Sequence, residues 1–263
     1  MNPERSAVDK YATIRAADAV GNMKDITGMM TFETGDNVLD VGCGTGALTK
    51  LLADNVHSVT GLDKMPEMID EAVQYQSADN ITYLAADACD LTTIDKYQNT
   101  FDRVVANFVL HWVANTEDML KAIHRYLKPG GQCYMNMCFA GFEKDAVAAI
   151  AAHTKEPKWA IYMEGYEYPY YPYQGSLEDF EENLRKTGFR NIQCRSEVKE
   201  FFFDNRDGAK ASYVSFMDQA SRIPKELREE YLEDVFNFAA EKGRTKEREY
   251  AFCFKLVSAV GCK

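Results

Sequence analysis

The chain has 263 residues, of which 46% are hydrophobic, 27% charged and 12% aromatic. At roughly 150 residues per domain this length allows one or two domains with a sizeable core, and the composition excludes a disordered chain, a collagen-like repeat and a small disulfide-stapled scaffold. Acidic residues number 41 and basic residues 30, a net charge of −11, which disfavours nucleic acid or an anionic membrane as a partner because phosphate contacts need a basic surface.

The opening Met1-Asn-Pro-Glu-Arg5 lacks the apolar run of a secretory signal. No stretch approaches 18 consecutive apolar residues, so no membrane span is expected. Seven cysteines (43, 89, 133, 138, 194, 253 and 262) form no C-x-x-C pair and read as reduced thiols in a cytoplasmic chain. The four histidines (57, 111, 124 and 153) are scattered, so no metal is expected.

In chain order, the first 30 residues read as helical, with Tyr11, Ile14, Val20 and Met23 at helix-like intervals. Gly35-Asp36 breaks the chain before a short apolar strand, Asn37–Val41, followed by a glycine turn at 42–46 and a helix from Ala47 to about Asn55. A strand at His57–Leu62, a helix near Pro66–Gln76 and a strand at Ile81–Ala85 repeat the pattern. After a polar segment comes a near-continuous apolar strand, Phe101–Ala106, then a helix near Thr116–Leu127 that ends at Lys-Pro-Gly-Gly131, and a fifth strand at Gln132–Cys138. Short apolar strands alternating with helices predict parallel strands joined by crossovers, with both sheet faces covered.

Beyond residue 140 the rhythm changes. A helix over Lys144–His153 leads into a tyrosine-rich stretch at 164–173, which reads equally as an aromatic lid or an ordered loop. Ser176–Thr187 has the signature of a capped helix, with Asp179 three residues after Ser176. Ile192–Phe203 reads as a strand, two charged helices follow near 209–221 and 224–241, and Tyr250–Val260 closes as a strand.

Val38-Leu-Asp-Val-Gly-Cys-Gly-Thr-Gly46 is the most informative stretch. Glycines 42, 44 and 46 between strand and helix permit a tight turn and close approach of a ligand to the main chain. Gly42-x-Gly44-x-x-Ala47 with Asp63 about 20 residues on also fits a dinucleotide fingerprint. Against that reading stands Asp40, at the mouth of the turn, which suits a cation and repels pyrophosphate. A further acid, Asp87, ends the third strand, and Leu127-Lys-Pro-Gly-Gly131 precedes the fifth.

This constellation resembles the class I S-adenosylmethionine-dependent methyltransferases over residues 35–140. The resemblance implies an α/β fold, a doubly wound, mostly parallel, Rossmann-like seven-stranded sheet with an antiparallel last strand and helical cap insertions. Residues 1–140 would form the N-terminal helix and cofactor-binding core, and 141–263 the substrate cap helices and last two strands of the same sheet, in one domain overall. S-adenosylmethionine would be the cofactor and S-adenosylhomocysteine the product. The backbone at Gly42, Cys43, Gly44 and Gly46 would cradle the methionine portion, with Asp40 near its ammonium. Asp63 would accept the ribose hydroxyls, Lys64 and Met65 would flank the adenine, and Asp87 with Ala88 would take its amino group. Asn107 would turn a backbone carbonyl toward cofactor and substrate.

The run Phe108-Val-Leu-His111-Trp112-Val113, with the region Glu156–Met163 and the late helices, is similar to the juvenile hormone acid methyltransferases, which implies methyl transfer to the carboxylate of a small, partly hydrophobic acid such as farnesoic acid. By that resemblance Trp112 would donate to the acceptor carboxylate, and Arg15 stands where the family has a glutamine with the same task. Arginine binds carboxylates bidentately. Tyr11 and Trp159 are further candidate substrate contacts, and His111 either acts as a base or only orients the acceptor. The acceptor alternatives are an amine, a phenol or an aconitate-type dicarboxylate; a nicotinamide oxidoreductase is a remote one. The expected partner is the small acid alone, with no nucleic acid or membrane, and the chain is expected to be a monomer or homodimer.

Overall fold

A computed structural model of the chain describes residues 18–244 and 250–263. Helix α1 (described over 18–27) precedes strand β1 (Asn37–Val41), α2 (Ala47–Ala53), β2 (Ser58–Asp63), α3 (Pro66–Tyr75), β3 (Ile81–Ala85), α4 (Leu91–Tyr97), β4 (Phe101–Ala106), α5 (Thr116–Tyr126) and β5 (Leu127–Cys138). Helices α6 (Ala146–His153), α7 (Pro157–Ala160) and α8 (Leu177–Thr187) follow, then β6 (Arg190–Phe202), α9 (Arg206–Val214), α10 (Arg228–Gly243) and β7 (Ala251–Cys262). The seven strands form one sheet in the order β3-β2-β1-β4-β5-β7-β6. Strands β1 to β5 pair in parallel. Strand β7 runs antiparallel to β5, since Gly131 meets Lys263 at one end and Phe139 meets Lys255 at the other. The doubly wound, mostly parallel class expected from the sequence is therefore the observed one.

The described residues divide into two compact units, 18–137 with 175–196 and 257–263, and 138–174 with 197–244 and 250–256. In the first unit the inner strands are apolar on both faces, as buried parallel strands must be. Val38 and Leu39 of β1 and Val104 and Val105 of β4 are fully buried. On one face Ile26 and Met30 pack with Val38, Leu48, Leu52, Val59 and Val105. In the second unit Tyr213 of α9 lies edge-on between Phe236 of α10 and Phe252 of β7, at ring separations of 5.4 and 4.9 Å.

Two elements depart from the expectation. The polar segment before β4 contains α4, whose N-terminus is capped by Asp90 accepting the Thr92 N–H. Only Thr93 and Ile94 of its seven residues are buried, which leaves too little apolar periodicity to see. Strand β5 begins at Leu127, so Lys-Pro-Gly-Gly131 lies within the strand and does not merely precede it. The glycines are held there by backbone bonds between Gly130 and Lys263 and between Lys263 and Gly131. Lys128 meets the Asp102 carboxylate at 2.8 Å, and the same carboxylate accepts the Asn37 N–H.

The tyrosine-rich stretch is an ordered loop. The Tyr166 hydroxyl donates to Asp218, Tyr168 to the Phe216 carbonyl and Tyr170 to Asp145.

Candidate active site

Strand order reverses between β1 and β4, and in an open α/β sheet such a switch point leaves a crevice beyond the carboxyl ends of the strands. An open cavity lies there, lined among the described residues by Ala19, Asn22, Asp40, residues 42–45, Ala47, Leu48, Asn107 and Phe108.

Gly42, Gly44 and Gly46 all adopt positive φ, of 69°, 53° and 81°. A Cβ on Gly42 would sit 2.5 Å from Val109 Cγ2, and one on Gly46 would sit 2.5 Å from the Tyr83 hydroxyl. Both positions therefore need glycine twice over, for backbone conformation and for close approach. The turn's donors are largely committed within the protein: Gly42 and Cys43 N–H donate to the Leu62 carbonyl, Gly46 N–H to the Cys43 carbonyl and Gly44 N–H to Asp63. Such a turn meets a ligand through close backbone contact more than through a comb of free amides, which does not suit pyrophosphate.

Asp40 is 2% exposed and accepts a hydrogen bond from the Thr49 hydroxyl at 2.7 Å. Burial pushes its carboxyl up to about 7; the Thr49 bond opposes the rise and the nearby Asp63 charge adds to it. No lysine, arginine or histidine is among the described residues lining the cavity. A buried carboxylate with no cationic partner among the described residues suits a cation from the ligand. Cys43 lies beside it with its thiol pushed far up, first by burial and then by Asp40 and Asp63, so it is an inert packing group.

Asp63 ends β2 and ties the turn to α3. One oxygen accepts the Gly44 N–H and the other the Met65 N–H, both at 2.9 Å, and each keeps a second lone pair for ligand hydroxyls. Lys64 is exposed, and Met65 is 44% exposed, an unusual amount for an apolar side chain. Asp87, also exposed, accepts the Cys89 N–H at 2.8 Å, and the Ala88 carbonyl is taken by the Tyr126 hydroxyl at 2.6 Å.

Asn107 follows β4 and lines the cavity. His111 and Trp112 lie on a single 3-10 turn, Leu110–Trp112, with their rings 5.3 Å apart. His111 is 3% exposed and Trp112 half-buried, and neither is among the residues lining the cavity. Trp159 is 2% exposed, donates its indole N–H to Asp234 and packs edge-on against Tyr231, a packing role in place of the expected substrate contact. Tyr11 and Arg15 lie outside the described residues.

Three residues at the site were not anticipated. Thr49 is a polar residue on the buried face of α2, among Leu48, Leu52 and Ala53. Asn136 interrupts the apolar run of β5 and is 1% exposed. A buried polar residue on an apolar face needs a partner, and this is the signal that would have found both. Asn22 of α1, half-buried between the buried Ala19 and Ile26 of the adjacent turns, is the third.

Comparison with known proteins bears on this arrangement. Residues 39–135 match the model of a methyltransferase domain. Over 213 residues the chain is 25% identical to the juvenile hormone acid O-methyltransferase of Bombyx mori, covering 79% of this chain and 75% of that one. It is 28% identical over 228 residues to the malonyl-[acyl-carrier protein] O-methyltransferase of a Paenibacillus strain, covering 79% and 80%. In three dimensions it is similar to a phosphoethanolamine N-methyltransferase of Haemonchus contortus, solved with S-adenosylhomocysteine. The TM-score is 0.57 at 21% identity, over 92% of this chain and 52% of that one, a likeness of fold. The glycine turn, the buried carboxylate of Asp40 and the two-oxygen acceptor Asp63 fit a cationic, hydroxyl-bearing nucleoside, and residues 39–135 form a class I S-adenosylmethionine-dependent methyltransferase domain.

Proposed function

We propose that the protein methylates the carboxylate of a small, partly hydrophobic acid, releasing its methyl ester. What carries this reading is that both O-methyltransferases named above, one of them acting by its name on an acid, match about four-fifths of the chain. The chemistry of the cavity agrees. Its described titratable lining groups are Asp40 and Cys43, the first suited to a cation and the second held as a thiol. With no histidine or lysine among the described lining residues to act as a base, the site favours an acceptor that arrives already ionised. A carboxylic acid, with a pKa of about 4 to 5, is already ionised at neutral pH and needs no general base.

The bound cofactor supplies an electrophilic sulfonium methyl. The chain's residues then hold the acceptor oxygen in line with it and exclude water, contributions worth several kcal/mol. In this reading Asp40 anchors the ammonium, Asp63 the ribose, and Met65 with Asp87 and Ala88 the adenine end. Trp112 and Arg15 bind the acceptor carboxylate, and His111 only orients it. The test is a methyl-transfer screen read by mass spectrometry, covering farnesoic and other medium-to-long acids, aconitate, and aromatic amines and phenols. A base-labile methyl ester is expected; a base-stable product formed only on amines or phenols would overturn the assignment.

A further inference from the structure

A buried hydrogen-bond chain behind the cavity has a defined direction. It starts at the Phe108 N–H, which donates to Asn136 Oδ1 at 2.5 Å. A backbone N–H can only donate, so the Asn136 atom facing it must be the oxygen, and its Nδ2 must lie on the other side. That Nδ2 donates to Asn107 Oδ1 at 2.7 Å and to the Tyr134 hydroxyl at 3.3 Å, and Tyr134 passes a hydrogen bond on to Ser258 at 3.2 Å. Asn107 lines the cavity, and with its oxygen bonded to Asn136 its Nδ2, a pure donor, is the amide atom left to meet a ligand there. Phe108 is held at a φ of +57°, a conformation that an L residue adopts only under outside constraint, and the Asn136 bond to its N–H supplies one.

We propose that Asn136 is a positioning residue that sets the polarity of the Asn107 amide, so that Asn107 Nδ2 serves as the hydrogen-bond donor to the carboxylate of the cofactor's amino-acid end. An amino acid carries both charges on one carbon. Asp40 offers the cavity an acceptor for the ammonium, and Asn107 offers a donor for the carboxylate, and both groups line the same cavity. The proposal rests on the assignment of this cavity to that end of the cofactor.

The test compares two probes, S-adenosylhomocysteine and 5′-methylthioadenosine, which shares the nucleoside thioether but lacks the amino-acid group. Asn136→Asp keeps an acceptor for the Phe108 N–H but offers Asn107 a second acceptor, which turns the Asn107 amide over and points its oxygen at the ligand carboxylate. Isothermal titration is expected to show S-adenosylhomocysteine affinity falling about tenfold or more, with methylthioadenosine affinity unchanged within about twofold. Asn107→Ala is expected to give the same selective loss. In the Asn107→Ala background, Asn136→Asp is expected to cost much less than it does alone, because its effect runs through Asn107.

Equal cost of Asn136→Asp in both backgrounds overturns the positioning role, as does an equal loss for both probes. If Asn136→Asp does not fold, an Asn107→Ala variant that binds S-adenosylhomocysteine as the wild type does overturns it too. A wild-type protein that binds S-adenosylhomocysteine no more tightly than methylthioadenosine refutes the assignment of the cavity itself, and the proposal with it. The identity of the methyl acceptor enters none of these measurements.

Discussion

Asp40 shows what burial does to a single residue. Its carboxyl is raised to about 7 chiefly by loss of water, and the charged or titratable groups around it, Asp63, Cys43 and Tyr83, are all acids. The folded chain therefore holds a proton at Asp40 that the unfolded chain releases between pH 3.8 and about 7, and this group's contribution to stability falls as pH rises through that window. A ligand ammonium reverses the preference by favouring the ionised form. S-adenosylhomocysteine affinity is accordingly expected to increase as pH rises through about 7, with proton release on binding. Calorimetry in buffers of different ionisation enthalpy measures both. Thr49→Val removes the hydroxyl that steadies the ionised carboxylate, so the midpoint is expected to move upward. Asp40→Asn is expected to flatten the dependence, and a dependence that survives Asp40→Asn would assign it to another group.

At the scale of the element, local chemistry and long-range pairing contribute differently. Helix α8 is specified almost wholly by its own residues. The Ser176 hydroxyl accepts the Asp179 N–H, the Asp179 carboxylate accepts the Ser176 N–H, and Gly188 closes the helix at a φ of +112°. Such a helix is legible in sequence because its signals lie within a few residues of one another. Ser176→Ala is expected to lower stability by about 1 kcal/mol in urea denaturation while leaving S-adenosylhomocysteine binding as it was. Strand β5 is the opposite case. Lys128-Pro-Gly-Gly131 has the composition of a turn, yet Gly130 and Gly131 pair with Lys263, more than 130 residues further along the chain. No local rule reports a partner that distant.

For the whole molecule, the net charge of −11 has a kinetic consequence. A negative field repels an anionic acceptor at long range, and salt screens that field over about 8 to 10 Å at ordinary ionic strength. For the carboxylic acid that the screen identifies, kcat/KM is therefore expected to rise with added salt, the reverse of a steered encounter; steady-state rates across a salt series measure it.

The glycine turn with Asp40, Asp63 and Asp87 was readable from the sequence alone because turn geometry and cofactor chemistry act through residues at short, fixed spacings around the strand ends. Those spacings determined the fold class and the cofactor. The tertiary structure decided what surrounds them. Thr49 meets Asp40 only because α2 packs back onto β1, and Asn136 meets Asn107 and Phe108 only because β5 lies beside β4 in a particular register. Trp159, a plausible substrate contact by sequence, is spent on Asp234 and Tyr231 once the chain folds. A side chain's partner is set by packing across the sheet, and that information is spread over the whole chain, not held at any one position.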